Sequence, residues 1–460
     1  MESSVEAVAL YQKGEEWLQA GNFEAAEACM KQAIALQSLF PQAHAQLGYL
    51  LDRRGLAGPA EQHFRQATQL APALCSAHLN LGALLLQQKR LDEAEACLAQ
   101  ALALDPESSA IWSNLGSLYL ASKAEDDAEA CLRRAMALDP DNPKPRFNLA
   151  YLQLRRGLWA EGWQLFESRD WYAGLAKHFH FPRWQGEPLA GKSLLLCFEA
   201  GHGDVIQFCR YATLLRQRGA SRLVLLCHPA LVGLLQSYAD LDQVLSFTEK
   251  VPESGFDYWL PLLSAPHFCH TPALPVYAPG RYLQASDALR AHWAPQLPPG
   301  NFRVGLVWQG NPAFENDSER SLPGPELLAP LWQLAGVTFI SLQKGSGEDA
   351  AAAFSAGYPL TCMGPEMRDF ADAAAIIDQL DLLISVDTAM AHLCGALGKP
   401  CWLLLPEYMT DWRWGAYGSL SAWYPDALRL FRQPASGQWP AVIDALFKAL
   451  QTCLADQPSN

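Results

Sequence analysis

A chain of 460 residues, half of them hydrophobic and 18% charged, is long enough for roughly two to four domains and can bury large cores. Its 34 Lys+Arg face 48 Asp+Glu, a formal charge of −14, which argues against a protein that grips nucleic-acid phosphates, because that needs a basic face. No apolar run approaches the ~20 residues of a membrane span. The first residues, MESSVEAVALYQKGEEW, are acidic where an export leader is basic, and the 12 cysteines form no CxxC pair and no close Cys/His cluster. The expected setting is a reducing cytoplasm, with neither a disulfide framework nor a metal site.

The first third repeats. Pro72, Pro106 and Pro140 are 34 residues apart, as are Gly14, Gly48, Gly82 and Gly116, with Ala150 next. Ala26, Ala60, Ala94 and Ala128 keep the same step, as do Ala33, Ala67, Ala101 and Ala135, and Leu47, Leu81, Leu115 and Leu149. Small residues in fixed columns suit the closest approach of two helices, and "LDP" at 104–106 and 138–140 ends one helix, with the proline expected to start the next unit. This period and these columns resemble the tetratricopeptide repeat, a helix–turn–helix unit, over about five units covering roughly 5–172. Cys29, Cys97 and Cys131 share a column with His63. A metal ladder is one reading of that column; small buried packing residues are the expected one. Stacked repeats make a concave face suited to a protein or peptide partner. The fifth unit carries Trp159, Trp163, Phe166, Trp171 and Tyr172, suited to docking on a neighbouring domain.

Beyond residue 172 the period changes. The stretch 173–192, rich in Pro, Gly and aromatics, reads as a linker. Short apolar runs then alternate with amphipathic segments: "SLLLCFE" at 193–199, "RLVLLCH" at 222–228 and "FDYWLPLLS" at 256–264, then, after the Pro-rich "WAPQLPPGN", "RVGLVWQG" at 303–310, "VTFISLQ" at 337–343, "LLISVD" at 382–387 and "CWLLLP" at 401–406. Such runs are expected as buried parallel strands. The whole chain is thus expected as an α-solenoid followed by two Rossmann-like α/β lobes, 193–295 and 296–460, with chemistry just after the strand ends.

Three such segments stand out. In "FEAGHGDVIQF", 198–208, Asp204 is either a helix cap or a general base aimed into a cleft, and Glu199 and His202 are weaker candidates. In "GNPAFENDSERSLPG", 310–324, Arg320 is either a surface residue or a phosphate ligand through paired N–H donors, with Asn311 and Ser321 beside it. "SLQKGSG" adds Lys344 and, less strongly, Gln343. In "DLLISVDTAMAHLCGALGKP", a strand ends at Asp387, Thr388 and Ala389 open a helix whose N–H groups suit an anion, and His392 lies one turn on.

The "VDTAMAH"–"GALGKP" block resembles the donor-site signature of glycosyltransferase family 9, the heptosyltransferase-like group. "GDVIQF" resembles that family's opening loop, and "GNPAFENDSERS" its phosphate-binding loop. "WQGNP", "SLQKG", "DWRWG" at 411–415 and "LFRQ" at 430–433 resemble stretches typical of bacterial members fused to tetratricopeptide repeats. The resemblance covers essentially the whole chain. It implies a GT-B fold and an inverting, metal-free transfer from a nucleotide-diphosphate sugar, which is substrate rather than cofactor. It makes Asp204 the acceptor base and places the donor at Arg320, Asp387, Thr388 and His392. His202 stands where related loops more often carry a small apolar residue, Phe314 and Glu315 where that group has more polar or basic residues, and Glu319 adds negative charge beside Arg320.

Overall fold

The computed structural model describes residues 2–270 and 276–456. Residues 1, 271–275 and 457–460 of the expected domains lie outside the described residues. The chain divides into two compact units, one up to Leu152 and one from Gln153.

The first unit is a tetratricopeptide-like solenoid of helix pairs, such as Pro41–Arg53 with Ala57–Leu70 and Ser109–Ala121 with Glu125–Leu138. The repeat columns are its contact points. A Cβ added at Gly116 would lie 2.6 Å from Leu132 Cγ, and one at Gly82 2.7 Å from Leu98 Cγ, so only glycine lets the paired helices come this close. Ala60, Ala94, Ala128, Ala67, Ala101 and Ala135 are all fully buried. Cys29 and Cys131 are buried packing residues, whereas His63 pairs its Nδ1 with His44 Nδ1 at 2.9 Å. Helices end at Leu104 and Leu138, at the LDP motifs, and Pro106 and Pro140 lie beyond them. They sit in the turns, and the next helices begin at Ser109 and Pro143.

The second unit holds two all-parallel sheets. β1 (Ser193–Cys197), β2 (Arg222–Cys227), β3 (Gln243–Ser246) and β4 (Tyr258–Pro261) lie in the order β3-β2-β1-β4. β5 (Phe302–Val307), β6 (Val337–Ser341), β7 (Leu360–Cys362), β8 (Leu382–Val386), β9 (Cys401–Leu405) and β10 (Leu428–Arg432) lie in the order β10-β9-β8-β5-β6-β7. The continuous apolar runs are explained by burial on both faces: Leu194, Leu195, Leu196 and Cys197 have no exposed surface, and all of β8 and β9 is buried. Strand order reverses between β1 and β4 in one sheet and between β5 and β8 in the other. Crevices at such reversals, beyond the carboxyl ends of the strands, are where ligands bind in sheets of this kind.

Two boundaries differ from expectation. The stretch 173–192 is not a linker. It contains the helix Ala173–His178, it buries Phe179, Phe181 and Trp184, and it runs beside β4, with Trp184 N–H donating to Trp259 O at 2.8 Å and Trp259 N–H to Pro182 O at 3.1 Å. Its aromatics are core of the first sheet. The helix Trp159–Phe166, expected inside a repeat domain ending at 172, lies in the second unit. There Trp163, 1% exposed, meets Trp412, Phe208 and Trp423 edge-on with ring centroids 5.3, 6.1 and 6.2 Å away. Expectation also missed the helix Asp287–Trp293, placed with the first lobe, whose Trp293 indole donates to Asp372 Oδ1 at 3.0 Å beside the second sheet.

Among the described residues, no helix is long and apolar enough to cross a membrane. Truncating a ring as enclosed as Trp163 leaves a large void, so Trp163→Ala should cost ~3–5 kcal/mol. Thermal melts of the full chain should show the second unit's transition moving down while the solenoid's helical signal persists.

Candidate functional site

The first residue after β1 to matter is Asp204, third in the helix His202–Phe208. Its Oδ2 accepts the Gly201 N–H at 2.8 Å, reaching back to the helix start as the acidic half of a capping box does. Its Oδ1 accepts from Arg413 Nη2, which makes the cap only part of its role. Burial pushes the carboxyl upward, Arg413 opposes this, and the charge of Asp411 adds to it. Its side chain keeps 21% of its surface open.

Arg413 sits in the short turn Trp412–Trp414, after β9. Asp411 caps that turn, accepting the Arg413 backbone N–H at 2.9 Å and the Nη1 group on both oxygens at 3.0 Å. Gln207 Oε1 takes the Nε–H at 2.7 Å. Trp412 and Trp414, 1% and 2% exposed, fix the backbone on either side.

The second group follows β8. Asp387 is raised to about 6, first by burial and then by the charge of Asp411, with Arg320 and Arg413 pulling the other way. Thr388 caps the helix Ala389–Ala396, and its Oγ1 accepts the Met390 N–H at 3.3 Å. The Ala389 N–H has no acceptor among the described residues and lies at the positive end of the helix. A Cβ at Gly203 would lie 2.9 Å from His392 Cδ2 and 3.4 Å from Ala389 Cα. This glycine therefore lets the Asp204 helix touch the Thr388 helix directly.

His392 is 6% exposed, stacks on Trp414 at 5.2 Å, and pairs its Nδ1 with the Tyr424 hydroxyl at 3.1 Å. Burial and the nearby Arg413 and Arg210 charges hold it well below its usual value. It is a neutral packing residue that can offer at most one uncharged hydrogen bond, a smaller part than the sequence suggested.

The loop after β5 supplies Arg320. Its Nε donates to Asp317 Oδ1 at 3.0 Å, its guanidinium lies 4.3 Å from the Phe314 ring centroid, and among the described residues its terminal amines donate to nothing. Phe314, read as a departure from the expected pattern, thus carries the arginine. Glu319 receives the Ser436 hydroxyl at 3.3 Å.

The other candidates serve the scaffold. Asn311 Oδ1 accepts the Ala313 N–H at 3.0 Å within its own turn. Ser321 is buried and accepts the Gly310 N–H at 2.9 Å. Gln343, 2% exposed, clamps the β5 loop by accepting from the Trp308 and Gln309 N–H groups, each at 3.1 Å, and donating to Gln309 O and Ser346 O. Lys344 is exposed and reaches Gly364 O at 3.4 Å, on the β6–β7 side of the sheet. Glu199 has no exposed side-chain surface. It forms a two-pronged pair with Arg169 at 2.8 and 2.9 Å and accepts the Leu263 N–H, so it anchors the chain near residue 169 and cannot serve a ligand. His202 packs against His228 and Phe370, with centroids at 4.4 and 5.2 Å.

Residues 14–138 match the sequence profile of the middle TPR-like domain of cilia and flagella-associated protein 70. Protein FlbA of Caulobacter vibrioides is 27% identical over 332 residues, covering 66% of this chain and 54% of FlbA. The chain thus spans about half the length of that relative. Among solved structures, PilF of Pseudomonas aeruginosa is 25% identical, covering 36% of this chain and 78% of its own, with a TM-score of 0.34. MamA of Desulfovibrio magneticus RS-1 is 22% identical, covering 37% and 96%, with a TM-score of 0.31.

The raised Asp387 carboxyl makes a prediction about stability. The folded state holds its proton more tightly than the unfolded chain, so stability falls as pH rises from about 4 through 6. Asp387→Asn removes that loss. The melting temperature should rise relative to wild type, and by ~2 °C more at pH 7.5 than at pH 5. An equal effect at both pH values would show that Asp387 titrates normally.

Proposed function

We propose that the second unit is a GT-B-type glycosyltransferase that moves a sugar, with inversion, from a nucleotide-diphosphate donor to an acceptor hydroxyl. The acceptor in this reading is a protein engaged by the repeats. The observation that carries it is the contact at Gly203 between the helix of Asp204, after β1, and the Thr388 helix, after β8, with Asp387 under the charge of Arg320 from the loop after β5. Each helix lies where its sheet reverses strand order.

In this reading the diphosphate faces the Ala389 N–H and the helix dipole, with the unpaired amines of Arg320 closing on its oxygens. These groups supply part of the positive field that the leaving diphosphate needs. Asp204 takes the proton of the acceptor hydroxyl. The acceptor oxygen's electron pair forms the new bond at the anomeric carbon, while the glycosidic bond breaks and its electrons pass to the leaving diphosphate. One in-line displacement with one base inverts the centre. Developing negative charge on the leaving group meets donors already in place.

A non-catalytic scaffold is the second reading. It is favoured by one fact: both oxygens of Asp204 are already engaged, by Gly201 and Arg413. The discriminating experiment incubates the full chain with a panel of nucleotide sugars and candidate acceptors and follows them by mass spectrometry. Transfer, or slow donor hydrolysis, supports the enzyme; an inert panel supports the scaffold.

Two substitutions sharpen the test. Asp204→Asn keeps the contact to Gly201 but takes no proton, so turnover should fall ~10²–10⁴-fold, with no loss of nucleoside-diphosphate affinity. Turnover within a few-fold of wild type would leave Asp204 as a cap. Arg320→Ala should lower turnover more than it weakens donor binding, because charge on the leaving group peaks as the bond breaks. Arg320→Lys should recover only part, lacking the planar fork. Parallel losses in affinity and turnover would make Arg320 a ground-state contact.

A further inference from the structure

Arg413 joins groups that the transfer reading keeps apart. Asp204 and Gln207 lie after β1, Asp411 and Arg413 after β9, and one guanidinium bonds to all three partners. The same charge also acts on Asp387 and His392. Arg413 therefore stands between the proposed base and the donor turn.

The local charge count is unfavourable for an anion. Asp204 and Asp411 pair with Arg413 and Asp387 feels its charge, while Arg320 already pairs with Asp317 through its Nε and the buried Arg210 donates to Tyr277 O, Trp423 O and the Tyr282 hydroxyl. A diphosphate entering at Thr388–Ala389 needs a cation turned towards it. Arg413 is built for that. Buried tryptophans on both sides hold its backbone, so only the long side chain has to re-aim. Asp204 keeps its bond from the Gly201 N–H and stays in position when the arginine leaves.

We propose that Arg413 is shared between base and donor: in the empty site it holds Asp204, and with a diphosphate at the Thr388 turn it swings to a phosphate oxygen. That movement leaves Asp204 Oδ1 open to accept the proton of the acceptor hydroxyl. The base becomes available only after the donor is in place, so donor binds first and acceptor second. This inference rests on the glycosyltransferase reading and deepens it.

The test is a double-substitution cycle read by isothermal titration of the full chain with inorganic pyrophosphate. If the cation is shared, Asp204→Asn releases it and tightens pyrophosphate binding by about tenfold or more, the scale of a close charge pair. In the Arg413→Gln background the same change should alter affinity by no more than about twofold. Equal tightening in both backgrounds overturns sharing while leaving the donor site intact. Pyrophosphate that binds neither wild type nor Asp204→Asn overturns the inference together with the reading beneath it. Because a buried arginine can matter for folding, a crystal structure of the unaltered chain with pyrophosphate supplies a second measurement. A guanidinium within about 3 Å of a phosphate oxygen and clear of Asp204 supports sharing; one still bonded to Asp204 overturns it.

Discussion

The site is organised by the need to pair carboxylates that have lost most of their water. Asp204, Asp387 and Asp411 come from three different strand ends, and burial disfavours the charged form of both Asp204 and Asp387. A charge in such a place is tolerated only when an opposite one is close. Arg413 is that charge, and its bonds to Asp204 and Gln207 on one side and Asp411 on the other tie the loops of the two sheets together. Burial first, and then the charge of Asp411, raise Asp387 to about 6. Perturbed acids gathered at strand ends beside an open helix N-terminus are characteristic of sites that do chemistry.

The surrounding fold explains why this cluster can persist. Parallel sheets buried on both faces deliver all their carboxyl ends to one edge, so residues far apart in sequence meet there. The aromatic cluster of Trp163, Phe208, Trp412 and Trp423 then fixes the backbone that carries Arg413. Trp163 comes from a helix that in sequence reads as the last repeat. The repeat period thus continues into residues whose packing belongs to the α/β unit, which makes that helix structurally part of the site's support.

Much of this was legible in the residues. The 34-residue step of Gly and Ala columns mapped onto helix contacts because only small side chains fit where paired helices cross. Seven apolar runs became strands because both faces are buried. β3, β7 and β10 are edge strands without a continuous apolar run: Gln243 and Arg429 are exposed in β3 and β10, and β7 is only the three residues Leu360–Cys362. Asp204, Arg320, Asp387 and Thr388 follow strand ends, which is where the sequence pattern directs attention. Arg413 and Asp411 follow β9 in the same way, but "DWRWG" reads in sequence only as a family-like stretch, with no role for either residue; their bonds to Asp204 and Gln207 appear only in the fold. Glu199 and Gln343 were over-read: a polar residue after a strand serves a loop as readily as a ligand, and only the hydrogen-bond partners distinguish the two. The stretch 173–192 looked like a linker because its aromatics follow neither helical nor strand periodicity, yet Phe179, Phe181 and Trp184 are core.

In the glycosyltransferase reading, the turn after β8, with Arg320, receives the diphosphate of a nucleotide. Isothermal titration of the full chain with a panel of nucleoside diphosphates tests it most directly. The glycosyltransferase reading predicts saturable one-to-one binding of at least one member of the panel, whereas no binding by any member at millimolar concentration would contradict it.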